Sequence, residues 1–158
     1  NYEIQQKPTV TFKTTMGSFK IAFYKKAAPK AVDFFIAFCK EGRYKDTIID
    51  SVIFPNSLIN IGFNGKVIKS VDANFSKEVA EKDKKIEKNE ILFRSDSEGF
   101  GMFSIYYNPA ASENEGKNVI FGKVIEGEDT LSKMFEVRVD SEFKPVEEIK
   151  ILDVTVSD

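Results

Sequence analysis

The chain has 158 residues, 42% of them hydrophobic, and a formal net charge of −2. That length supports one core-bearing domain, expected to span 1–158, and is short for two. The near-neutral charge argues against a broad basic surface for nucleic acid. With no His, imidazole acid/base chemistry is gone, and so are most zinc sites. The single cysteine, Cys39, excludes an internal disulfide. No apolar run approaches the ~20 residues that cross a bilayer as a helix. No metal, cofactor, nucleic-acid or membrane partner is therefore expected.

Residues 1–8 read as an extended lead-in. Thr9-Val10-Thr11-Phe12-Lys13-Thr14 alternates polar and apolar side chains, as a half-buried strand does. Met16-Gly17 supplies a turn, and Phe19, Ile21 and Phe23 resume the alternation, which predicts a hairpin. Pro29 suits the first turn of a helix, where its missing N–H is no loss. Ala31, Phe34, Phe35, Phe38 and Cys39 follow at helical spacing, and Gly42 is the expected stop. Buried on that apolar face, Cys39 is a structural thiol and no nucleophile.

Short strands are predicted over 51–54 and 58–61, around a Pro55-Asn56 turn. Residues 64–89 read as a long surface connection, anchored by Phe75, Val79 and Ile86. Within it, Lys82-Asp83-Lys84-Lys85-Ile86-Glu87-Lys88 interleaves acids and bases, as a solvated segment does. Asn74-Phe75-Ser76 fits the glycosylation sequon and matters only in a secreted chain. Strands follow over 102–106 and 119–124, with a polar loop over 108–117 between them. Leu131, Met134 and Phe135 mark a second helix opened near Asp129-Thr130, and Ile149, Ile151, Val154 and Val156 close the chain as a bent strand. Period and composition alone specify a β-rich α+β domain.

Several segments carry more. They are Met16-Gly17-Ser18-Phe19-Lys20-Ile21, Ala28-Pro29-Lys30-Ala31-Val32-Asp33-Phe34-Phe35, Gly42-Arg43-Tyr44, Ser51-Val52-Ile53 and Gly116-Lys117-Asn118-Val119-Ile120-Phe121-Gly122-Lys123-Val124. In order and spacing this frame resembles the cyclophilin family of peptidyl-prolyl isomerases. The resemblance implies an eight-stranded antiparallel closed β-barrel capped by two α-helices.

It also implies a reaction. An X-Pro bond rotates slowly because the amide has double-bond character, with a barrier of ~18–20 kcal/mol. Catalysis needs an apolar pocket for the proline ring and a donor that favours the twisted amide. In the family that donor is an arginine in a Phe-His-Arg segment, which corresponds here to Ile49-Asp50-Ser51. Ser51 thus occupies the arginine position, and no catalytic residue is assigned. By the same correspondence the pocket Phe falls on Ser57, the pocket Met on Leu58 and a strand glutamine on Asn60. The segment Gly-Ser-Gln-Phe-Phe falls on Gly99-Phe100-Gly101-Met102-Phe103, so Phe103 keeps the second Phe. The family's Trp, Leu and His fall on Glu113, Asn114 and Asn118.

Leu58, Asn60, Phe103, Ser57 and Asn114 are therefore the expected substrate-binding residues. The expected function is a cyclophilin-like module with a degenerate site, a weak or inactive isomerase that binds a proline-containing peptide or protein partner. The alternatives are an active isomerase that assists folding with divergent specificity, its cation supplied by Arg43 or Arg94, and a structural subunit of an assembly. Cyclosporin, the family's inhibitor, should bind weakly or not at all, because Glu113 holds the tryptophan position. A soluble chain of cytoplasm or nucleus is the simpler expectation, or a secreted one if a signal peptide has been removed.

Overall fold

The computed structural model describes residues 1–53, 58–62, 75–94, 102–108 and 116–158. β1 (Gln5–Thr14) and β2 (Gly17–Phe23) form the predicted hairpin, with β1 starting four residues earlier than the alternation indicates. α1 (Pro29–Lys40) follows, with Pro29 in its first turn and Gly42 at φ 71° just beyond its end. Next come β3 (Ile49–Ile53), β4 (Leu58–Ile61), a 3-10 turn at Ser76–Glu78, β5 (Glu90–Arg94), β6 (Phe103–Tyr106), β7 (Asn118–Glu126), α2 (Glu128–Phe135) and β8 (Ile151–Ser157). The described strands form one antiparallel sheet in the order β3-β4-β6-β5-β7-β2-β1-β8.

The eight antiparallel strands and two helices expected from the sequence are present, and the sheet curls into a half-barrel with a seam rather than closing fully. Its edge strands, β3 and β8, share no continuous ladder. They are stitched at one end only, where Ile49 N–H donates to Ile149 O at 2.9 Å and Ile151 N–H to Thr47 O at 2.8 Å. Further along β3, Val52 N–H donates instead to the carbonyl of Phe143, at 2.8 Å.

The concave side of the sheet holds the core, and phenylalanine fills it. Phe12, Phe23, Phe35, Phe93, Phe103, Phe121 and Tyr44 form one ring cluster. Phe93 and Phe121 stack at 4.3 Å, and Phe35 meets Phe103 edge-on at 5.0 Å. Such pairs add ~0.5–1.5 kcal/mol each beyond the apolar area they bury. α1 turns Ala31, Val32, Phe35, Phe38 and Cys39 inward, at helical spacing. Burial pushes the Cys39 thiol well above its usual range, which suits an inert core residue.

Two local devices hold the helices. No side chain of its own caps the N-terminus of α1. Glu78 reaches it from the 3-10 turn, accepting from Lys30 N–H at 2.8 Å and Ala31 N–H at 2.9 Å. A carboxylate there pairs two orphan donors and complements the helix dipole. α2 starts from Gly127 at φ 91°, where an added Cβ would lie 2.3 Å from Ser18 O, so glycine alone fits against the hairpin turn.

The stretch before β5 is more than a solvated connection. Ala80 and Ile86 are buried with Tyr24, Leu92 and Ile120 on the convex side of the sheet, and Tyr2 and Ile4 pack on them. Phe75 stacks on Phe93 at 5.7 Å. Beneath this cover lies Glu90, fully buried. Its carboxylate accepts from Tyr24 Oη at 2.7 Å, from Lys84 Nζ at 2.9 Å and from Glu87 N–H at 2.6 Å. The sequon asparagine, Asn74, lies outside the described residues.

Candidate active site

Side chains alternate across a strand, so each sheet residue faces either the core or the convex side. In β3, Val52 faces the core, and Ser51 and Ile53 face outward, half-buried. In β4, Ile59 and Ile61 face the core, and Leu58 and Asn60 face outward. In β6, Phe103 and Ile105 face the core, which leaves the convex side to Ser104 and Tyr106. Register then aligns the outward residues in rows. Ser51 is paired with Asn60, and Asn60 with Ser104. Ile53 is paired with Leu58, and Leu58 with Tyr106.

The first row is polar and internally bonded. Asn60 Nδ2 donates to Ser51 Oγ at 3.0 Å, and Ser104 Oγ donates to Asn60 Oδ1 at 2.6 Å. The second row, Ile53, Leu58 and Tyr106, is an apolar flank of half-buried side chains. Among the described residues, no lysine or arginine bonds to Ser51, Asn60 or Ser104.

Of the residues expected from the sequence, Ser51, Asn60 and Leu58 share this face. Phe103 does not. It has 0% of its surface exposed and meets Phe12, Phe35 and Tyr44 in the core. From there it cannot touch a ligand, and its neighbour Ser104 holds the outward position. The missed signal was parity, because Ile105 repeats the apolar phase of Phe103 and Ser104 breaks it. Ser57, Asn114 and Glu113 lie outside the described residues. Asn118 opens β7, buried, with β6 and β5 between it and β4, and its carbonyl accepts from Ala80 N–H at 2.8 Å.

Arg43 is engaged elsewhere. Its guanidinium pairs with Glu41 at 3.1 Å and lies over the Phe38 ring at the end of α1. Tyr107 packs on Phe135 of α2 at 4.8 Å and shares a hydrogen bond with Ser132, a packing role.

The family described as "Cyclophilin type peptidyl-prolyl cis-trans isomerase/CLD" matches residues 9–156. The chain belongs to the cyclophilin family. Peptidyl-prolyl cis-trans isomerase-like 1 of Emericella nidulans is 30% identical over 152 residues, covering 93% of either chain. Peptidyl-prolyl cis-trans isomerase 10 of Caenorhabditis elegans is 30% identical over 155 residues, covering 94% of either chain. A Cryptosporidium parvum cyclophilin, crystallised in the presence of the dipeptide Ala-Pro, superposes with a TM-score of 0.81 at 28% identity, covering 95% of this chain and 99% of that one. Within that frame, the outward face of β3, β4 and β6 carries the row of Ser51, Asn60 and Ser104.

Proposed function

We propose that this cyclophilin binds proline-containing peptide segments and isomerises them slowly or not at all. One observation carries the reading. Ser51, at the position that corresponds to the family's arginine, is tied into neutral hydrogen bonds, and no lysine or arginine among the described residues bonds to it. A hydroxyl offers one neutral donor, where a guanidinium offers a charged five-donor fork. Charge-assisted bonds are about twice as strong as neutral ones, and ~1.4 kcal/mol of transition-state stabilisation is about tenfold in rate. Loss of such a donor costs on the order of tens to hundreds of fold. Peptide binding is less dependent on that charge. The apolar flank of Ile53, Leu58 and Tyr106 beside a row of donors and acceptors is chemistry suited to an X-Pro segment. The C. parvum relative crystallised with Ala-Pro supports the same ligand class.

The test is cis/trans exchange of an Ala-Pro peptide, followed by NMR with the native chain and with Ser51→Arg. Peptide-dependent shifts with exchange at the uncatalysed rate are expected for the native chain, and about tenfold or more acceleration for the variant. Fast exchange by the native chain would instead establish an active isomerase whose donor is another group.

A further inference from the structure

The row Ser104–Asn60–Ser51 has a direction. An amide oxygen only accepts and an amide nitrogen only donates. Asn60 Oδ1, 2.6 Å from Ser104 Oγ, therefore takes the one hydroxyl proton Ser104 has. Asn60 Nδ2, 3.0 Å from Ser51 Oγ, gives a proton to Ser51 and so occupies a lone pair there. The chain of bonds ends at Ser51 with that residue's own proton uncommitted, and no described residue accepts it. The three side chains stand opposite one another in the ladders of β3, β4 and β6, so the backbone holds their spacing. Ser104 is only 8% exposed, and Ser51 and Asn60 are half-buried. In such surroundings each link polarises the next, and a donor left without an acceptor costs free energy.

We propose that Ser104 and Asn60 are positioning residues that fix the Ser51 hydroxyl as a hydrogen-bond donor to a backbone carbonyl of the bound peptide. The proposal rests on the peptide-binding reading above. The acceptor is a carbonyl because the end of the row is one neutral O–H. A cation is disfavoured by that proton, and no lysine or arginine among the described residues bonds to the row to help hold an anion. Every peptide presents carbonyls, and the Ile53–Leu58–Tyr106 flank lies one register row away to seat an apolar ring. The row also has a consequence for specificity. Ser104 is locked as a donor to Asn60, so this row reads main chain while the apolar flank beside it seats the ring.

The experiment uses the full chain labelled for NMR. The Asn60 side-chain amide signals are identified by their loss in Asn60→Asp. The probes are an Ala-Ala-Pro-Ala peptide and two analogues with sulfur replacing the carbonyl oxygen, one before the proline and one on it. Sulfur is the weaker acceptor. Ser51→Ala is expected to weaken the oxygen peptide about three- to tenfold, and to abolish the native preference for it over one of the analogues. Ser104→Ala is expected to move the Asn60 signals and to lower the same preference, and Ser104→Thr, which keeps the hydroxyl, to restore both. Backbone amide dispersion checks that each variant is folded. Unmoved Asn60 signals in Ser104→Ala overturn the relay. Equal weakening of all three peptides by Ser51→Ala overturns donation from Ser51, and points to the second Asn60 N–H. A native chain that binds none of the peptides, while its Asn60 signals still respond to Ser104→Ala, overturns donation to a peptide. It fails together with the reading beneath it, whereas the relay itself survives.

Discussion

Over β2, β7 and β5 the convex face of the sheet is covered, whereas over β3 and β4, out from a buried Ser104 on β6, it is only half-buried. Both halves carry polar side chains in contact with one another. In the covered half, the Glu90 carboxylate meets Tyr24, Lys84 and the Glu87 N–H, so its lone pairs are used within the fold. In the open half, the row of Ser51, Asn60 and Ser104 ends in a donor with no described acceptor. A buried charge survives only when it is paired and bonded, so the first arrangement is structural. A partly satisfied row at a solvent-accessible face is costly for folding alone and useful for a ligand. Polar clusters thus take different roles according to what lies over them.

The contrast breaks most easily at Glu90. Glu90→Ala leaves the Tyr24 hydroxyl, the Glu87 N–H and a mostly buried Lys84 ammonium without their partner, which should cost about 3–5 kcal/mol. Urea unfolding would measure it. Ser104→Ala, in the open half, should fall below about 1 kcal/mol in the same assay, since only one neutral hydrogen bond is lost. Comparable losses at the two positions would remove the distinction between the halves.

Phe103 sharpens it from the other side of the sheet. If Phe103 lined a peptide pocket, Phe103→Ala would mainly weaken binding. Its place among Phe12, Phe35 and Tyr44 predicts a stability loss of about 3 kcal/mol or more instead, with the peptide affinity of the folded fraction little changed. Chemical denaturation beside a peptide titration separates the two.

Phe103 also shows where the sequence stopped being readable. α1 was legible because Pro29, a helical apolar stripe and Gly42 all agree on its bounds. Ser51 and Asn60 come from the family resemblance, and β3 and β4 set them opposite one another on the outward face. β5 was missed because Ile91, Leu92 and Phe93 are all buried, two facing the core and one the cover, so no alternation marks them as a strand. At β6 the signal is present, since Phe103-Ser104-Ile105 alternates, but the family resemblance sets Phe103 in the pocket whereas the alternation sets it in the core. The cover escaped notice for another reason. Lys84 and Glu90 look like surface charges in sequence, and only their pairing across a turn permits burial.

A smaller effect than those at Glu90 and Phe103 is expected on pH dependence, and it also separates the halves. Burial, then the hydrogen bond to Glu90, pushes the Tyr24 hydroxyl well above its ordinary value near 10. Burial raises Tyr44 in the core as well. Below pH 10 the folded and unfolded chains both hold these protons, and the contribution to stability is constant. Above pH 10 the unfolded chain releases them and the folded chain keeps them, so the unfolded state gains and stability falls as pH rises. The slope approaches about 1.4 kcal/mol per pH unit for each such tyrosine. Tyr24→Phe, compared with the native chain by urea unfolding between pH 9 and 11, should flatten this decline without abolishing it, because Tyr44 remains. The variant gives up one hydrogen bond to Glu90, so it starts lower and declines less. Two parallel declines would mean that the Tyr24 proton is not held by the fold, and that the covered half is more open to water than its hydrogen bonds imply.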